Sequence, residues 1–168
     1  MPIDAGACKL IRSCEVILKI AIIVGSTSDL EIIESAKPYL QYFNLDHDIQ
    51  VLSAHRQHAQ LLDYLKKAEE DGVEVIIACA GMAAHLPGVV AAITTLPVIG
   101  VPLDASSLNG MDALLSIVQM PKGIPVATMA VGKAGVINAV VYAARILALN
   151  KPYLKEKLEE FHKQGSKI

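Results

Sequence analysis

Short apolar runs alternate with stretches of helical spacing along most of this chain. The runs cover 19–24, 47–52, 73–79, 97–101 and 125–131. All but the second are continuously apolar and rich in Val and Ile, as strands covered on both faces are. Between the first two, Leu30, Ile33, Leu40 and Phe43 keep helical spacing. Between the second and third, Leu61, Leu62, Leu65 and Ala68 do the same, with Asp63, Lys66, Lys67, Glu69 and Glu70 on the outer face. Alternating strands and helices imply right-handed crossovers and one parallel, doubly wound sheet of five main strands. The expected organisation is a loosely held extension over 1–18, an α/β domain over 19–151, and a C-terminal helix and tail over 152–168. That last helix is opened by Pro152, at a position the first turn tolerates. Residues 134–149 are apolar nearly all round, with Asn138 and Arg145 the main exceptions. Such a helix must be buried on more than one side, and its second face is expected to meet another subunit.

Composition sharpens that expectation. Apolar residues make up 53% of 168, or roughly 57% counted with glycine in place of tyrosine, against ~45–50% for ordinary globular domains. Charged residues are only 19%. The surplus excludes disorder and calls for a membrane or a partner chain. The membrane reading fails, because the longest apolar candidate, 88–103, contains Thr94, Thr95, Pro97 and Pro102. A signal peptide fails as well, since Arg12, Glu15 and Lys19 interrupt the early apolar run and Asp4 stands where a basic start is needed. A cytoplasmic homo-oligomer is the expectation. Net charge of −2, no Trp and no basic cluster speak against nucleic acid. Cysteines at 8, 14 and 79 form neither a zinc pattern nor a disulfide framework.

In a doubly wound sheet, ligands bind beyond the carboxyl ends of the strands. The segments expected there are Gly-Ser-Thr-Ser-Asp (25–29), Ser-Ala-His-Arg (53–56), Ala-Gly-Met-Ala-Ala-His-Leu-Pro-Gly (80–88) and Leu-Asp-Ala-Ser-Ser-Leu-Asn-Gly (103–110). The first suits a phosphate held by hydroxyls and free helix N–H groups. It equally suits a plain cap, Ser28 with Glu31 forming a capping box. It is neither a Walker loop nor a dinucleotide fingerprint. Arg56 has the fork for a phosphate and His55 the imidazole for proton transfer, or the two form a surface pair. His85 is either a functional imidazole or a supporting one at the start of a helix. A three-His zinc site from His55, His58 and His85 lacks a supporting carboxylate. A serine hydrolase lacks its nucleophile elbow. Cys79 reads as core.

These loops resemble a known family. Gly-Ser-Thr-Ser-Asp, Ser-Ala-His-Arg, Ala-Ala-His-Leu-Pro-Gly, the run from Leu108 through Ser-Ile-Val-Gln-Met-Pro to Thr128, and Gly-Lys-Ala-Gly followed by Asn-Ala are similar to the N5-carboxyaminoimidazole ribonucleotide mutases. These are the catalytic subunits of phosphoribosylaminoimidazole carboxylase in purine biosynthesis. The resemblance covers about 20–149 in register, and His-Leu-Pro-Gly with Ser-Ile-Val-Gln-Met-Pro resembles the bacterial mutase branch. It agrees with a single three-layer, flavodoxin-like sheet. It implies a ribonucleotide substrate whose carboxylate moves from the exocyclic nitrogen to ring C4, with no metal, ATP or biotin. It implies phosphate contacts from Ser26, Arg56 and Ser28, ribose hydroxyls on Asp29, and general acid/base work by His55. The turn of Gly81, Ala83, His85 and Leu86 would retain carbon dioxide, and Ser53 would line the substrate site. An octamer is implied too. Direct carboxylation of aminoimidazole ribonucleotide, or ribonucleotide binding with turnover reduced or lost, are the competing readings.

Three departures from the family pattern stand out. Gln57-His58 replaces Thr-Pro, Met82 replaces a Gly, and Cys79 stands where a Gly is usual. Met82 puts a long side chain into a turn otherwise made of small residues. Being adaptable, the thioether is expected to lie against apolar neighbours and leave the site open.

Overall fold

The computed structural model describes residues 19–168; the extension expected over 1–18 lies outside the described residues. Strand β1 (Lys19–Val24) leads through a short 3-10 turn (Thr27–Asp29) into α1 (Leu30–Glu34) and α2 (Lys37–Tyr42). There follow β2 (Asp46–Val51), α3 (His58–Glu70), β3 (Val73–Ala80), α4 (Leu86–Ile93) and β4 (Val98–Pro102). The chain closes with α5 (Met111–Val118), β5 (Ala127–Thr128), α6 (Lys133–Ala148) and α7 (Pro152–Lys163). The sheet order is β2-β1-β3-β4-β5, and all four pairings are parallel. This is the doubly wound order whose direction reverses between β1 and β3.

Strand alternation divides the apolar side chains between two layers. Ile20, Ile22 and Val24 face one side with Val75 and Ile77, packed by α1, α2, α6 and α7. Ala21, Ile23, Ile76 and Ala78 face the other, packed by α3, α4 and α5. Every one of these strand residues is fully buried, which is why the runs read as continuously apolar. The edge strand β2 is only partly covered, and its sequence is polar at the start and alternates polar and apolar from Asp48.

The structure refines three local expectations. The helical spacing across 30–43 is realised as two helices. Pro38 has no N–H for the Glu34 carbonyl, and its ring collides with that carbonyl in a continuous helix. The first helix therefore closes with Ala36 N–H on Ile33 O (2.9 Å) and the Ser35 hydroxyl on Ile32 O (2.6 Å), and Pro38 sits harmlessly in the first turn of α2. The fifth strand shrinks from 125–131 to two residues, because Pro125 cannot donate to the ladder and Gly132 (φ 72°) already turns the chain into α6. Finally, much of the apolar surface of α6 is covered within this chain, while Tyr142 stays 40% exposed and Leu149, just past its end, 83%. Val136, Ala139, Val140, Ala143, Ala144 and Leu147 are buried within this chain, between the sheet and the helices α1, α2 and α7. Helix α7 is held there by Phe161, edge-on to Phe43 at 5.4 Å, and by Lys157 donating to Tyr42 O at 2.9 Å.

Further exposed apolar surface lies on and before α5. Met111, Leu115 and Val118 repeat at helical spacing along α5 and are 55%, 55% and 51% exposed, with Leu108 just before them at 61%. No described helix is long and apolar enough to cross a membrane.

Candidate active site

The register pairs Val24 with Val51 on one side and with Cys79 on the other, so β1, β2 and β3 end level with one another. Their following loops therefore meet, and they enclose a cleft of about 420 Å³. All ten residues singled out from the sequence line it. Ser26, Ser28 and Asp29 come from the loop after β1, and Ser53, His55 and Arg56 from the loop after β2. Gly81, Ala83, His85 and Leu86 come from the turn after β3.

The hydroxyl loop differs in detail from the capping box. Ser26 is the cap: its Oγ accepts from Ser28 N–H at 3.4 Å and from the Ser28 hydroxyl at 2.9 Å. Ser28 caps nothing, and its single hydroxyl hydrogen is shared between Ser26 Oγ and Asp29 Oδ1, 3.3 Å away. Three adjacent short polar side chains compete for the same N–H groups, and spacing alone does not choose between them. The result is a rim of two hydroxyls above a carboxylate that is 9% exposed.

Burial, the largest influence, raises the Asp29 carboxyl above the ordinary carboxylate range, while hydrogen bonds from the Ser28 side chain and the Ser26 backbone pull it partly back. The folded chain thus takes up this proton more readily than the unfolded chain does. Stability linked to Asp29 is greatest below the ordinary carboxylate value and is lost as pH rises through the raised one. Asp29→Asn, which removes the charge and keeps the acceptor, should therefore unfold at a higher denaturant midpoint than wild type at pH 7. The gap should close as the pH is lowered below 4; a gap that widens on acidification would contradict the assignment.

The two imidazoles were read from the sequence as separate features. Instead they form a pair: His55 Nε2 lies 2.7 Å from His85 Nδ1, with the rings at 88°. A contact this short needs one nitrogen to donate and the other to accept. The pair can therefore pass a proton along the cleft wall while staying bonded. Thirty residues separate the two, and only the adjacency of β1 with both β2 and β3 brings them together. Among the described residues, no group of three His, Cys, Asp or Glu side chains is gathered to hold a metal ion.

The turn after β3 is built tightly. A Cβ on Gly81 would stand 2.6 Å from the Ala105 Cβ, so the turn can lie against the loop after β4 only because residue 81 is glycine. Ala105 lines the cleft too, and was not singled out from the sequence. Its segment, 103–110, does follow a strand, and that was its only signal. Met82 contradicts the expectation that it packs on apolar neighbours: it is 64% exposed at the cleft, at a left-handed φ of 55°. With most of its side chain in solvent, it leaves most of the cleft open. Met82→Gly should change turnover by less than about tenfold, or 1.4 kcal/mol of barrier; a hundredfold gain would show that it obstructs the site. Cys79 is fully buried in the core, as expected.

Comparison with known proteins gives a consistent answer. The family model described as AIR carboxylase matches residues 19–167. The N5-carboxyaminoimidazole ribonucleotide mutase of Pyrococcus horikoshii is 53% identical over 144 residues, 86% of this chain and 80% of its own. That of Bacillus subtilis is 53% identical over 141 residues, 84% of this chain and 87% of its own. That of Escherichia coli K12 is 48% identical, covering 86% of each. The crystal structure of Treponema denticola PurE superposes with a TM-score of 0.80 at 27% identity, over 88% of this chain and 91% of that one.

Proposed function

The chain belongs to the AIR carboxylase family, and from that premise we propose that it is an N5-carboxyaminoimidazole ribonucleotide mutase of purine biosynthesis. As an isomerase, it moves the carboxylate of its substrate from the exocyclic nitrogen to ring C4. The observation that most supports this at the site is the His55–His85 pair facing a cradle of hydroxyls, carboxylate and guanidinium.

Ser26, Ser28 and Arg56 bind the 5′-phosphate, and Asp29 accepts from the ribose hydroxyls. In the first step the carbamate C–N bond breaks, its electron pair stays on nitrogen, and His55 supplies the proton that nitrogen needs. Carbon dioxide is retained against Gly81, Ala83 and Leu86, and Ser53 lines the substrate site. In the second step C4 attacks carbon dioxide, and the C4 proton returns to His55, which is restored. His85, bonded to His55, holds it in the orientation both transfers require. The balance closes with no cofactor or metal ion.

Purified chain given N5-carboxyaminoimidazole ribonucleotide without added bicarbonate should form the 4-carboxylated isomer. A requirement for bicarbonate with aminoimidazole ribonucleotide as substrate would establish the direct carboxylase instead. Binding without turnover would establish a ribonucleotide-binding protein, the reading that Met82 and the Gln57-His58 substitution motivate.

The working form is a cytoplasmic homo-oligomer, an octamer, with no nucleic-acid or membrane partner. The exposed stripe of Met111, Leu115 and Val118 on α5 is the surface that supports assembly, since a patch of this kind on a lone chain is costly. Leu115→Glu should lower the mass seen by light scattering at micromolar concentration. A wild type that scatters as a monomer would overturn the assembly.

A further inference from the structure

We propose that Gln57 is a positioning residue, whose side-chain carbonyl fastens the turn that carries His55 and Arg56. The proposal rests on the site reading above, and concerns a position where this chain departs from the family it resembles.

The last regular sheet bond on this strand is Leu52 N–H to Val24 O, at 2.9 Å. Ser53 is the next residue and is only 8% exposed, so its N–H needs a partner from the protein. Gln57 provides it: Ser53 N–H donates to Gln57 Oε1 at 3.1 Å. In return, Gln57 N–H donates to Ser53 O at 2.9 Å. Arg56 N–H closes the loop from inside, donating to Ser53 Oγ at 3.3 Å. Residues 53 and 57 are thus tied by two opposed bonds, and the three residues between them reach into the cleft.

Position 57 is also the cap of α3, where a short polar side chain would ordinarily turn forward onto the helix N–H groups. Gln57 makes no such bond. Its longer side chain turns back to the strand end instead. Both its length and its acceptor oxygen matter, because the donor it meets is a main-chain N–H four residues earlier. Loss of the acceptor leaves the backbone of Ser53 unpaired and lets the turn drift. His55 then loses its 2.7 Å contact with His85, and Arg56 its aim.

The test separates acceptor from shape. Gln57→Met keeps the reach and removes the oxygen; Gln57→Glu keeps both. In Gln57→Met, kcat/KM should fall about tenfold, through a lower kcat as well as a higher KM. The Ser53 amide should exchange faster, and the thermal midpoint should move by only a few degrees. Gln57→Glu should return kcat/KM to within about threefold of wild type and restore Ser53 protection. Unchanged kcat/KM in Gln57→Met overturns the proposal, whether or not the amide exchanges faster. So does an equal loss in both variants. Wild-type turnover separately tests the function. Should that fail, Gln57 is still decided by Ser53 exchange and by the His55 ring chemical shift, which must move in Gln57→Met and return in Gln57→Glu.

Discussion

Replacing His55 with asparagine is expected to slow turnover by at least about 10²–10⁴-fold, while ribonucleotide binding stays within a few-fold of wild type. One group must give a proton to nitrogen and later take one from C4. Imidazole suits both steps because, as a residue type, it exchanges protons near neutral pH. Two imidazoles reach the cleft, and their surroundings separate them. His55 neighbours Arg56, the proposed phosphate ligand, whereas His85 opens α4 in the small-residue turn. Asparagine keeps a polar group but ends near the position of Nδ1, short of the Nε2 contact with His85, and carries no exchangeable acid. Calorimetry showing normal binding beside near-normal interconversion would move the proton to His85.

Arg56→Ala should weaken ribonucleotide binding by about 2–3 kcal/mol, the scale of a charge-assisted hydrogen bond. The loss belongs to the phosphate. The dephosphorylated nucleoside should therefore bind wild type and Arg56→Ala equally poorly. If Arg56→Ala still prefers the phosphorylated ligand as strongly as wild type does, the phosphate is held elsewhere. Ser26, Ser28 and the N–H groups of the loop after β1 would be the groups to examine next.

The parts of this molecule that a linear reading recovers are those whose cause is local. Strands β1, β3 and β4 are covered on both faces, so burial is written directly as runs of Val, Ile and Ala. The strand-end loops follow from that, and with them every residue chosen for the cleft. Where two local causes compete, the reading leaves more open. Helical spacing runs on across 30–43 and Pro38 interrupts it, and the proline prevails because a missing donor cannot be offset by packing. Ser26 and Ser28 compete for one cap in the same way. Gaps of another kind concern who touches whom. Much of the cover of α6 comes from the sheet and from α1, α2 and α7 of the same chain, and a sequence shows that an apolar face needs burial without showing whose atoms supply it. The His55–His85 bond is equally non-local, created by strand order alone.

The wall of the cleft has a consequence for how this protein can change. From Ala80 to Ala84, and at Ala105 opposite, the lining side chains are hydrogen or methyl, Met82 apart. At such positions nearly every possible substitution adds atoms, and the one available reduction, Ala to Gly, removes a single carbon. Random mutation therefore runs one way here, toward a narrower space than the present 420 Å³. Substrate range can contract by accident, but it can widen only if the main chain itself moves. An engineer who wants this wall to admit a bulkier base gains little by trimming Met82, which is 64% exposed, and must move the backbone.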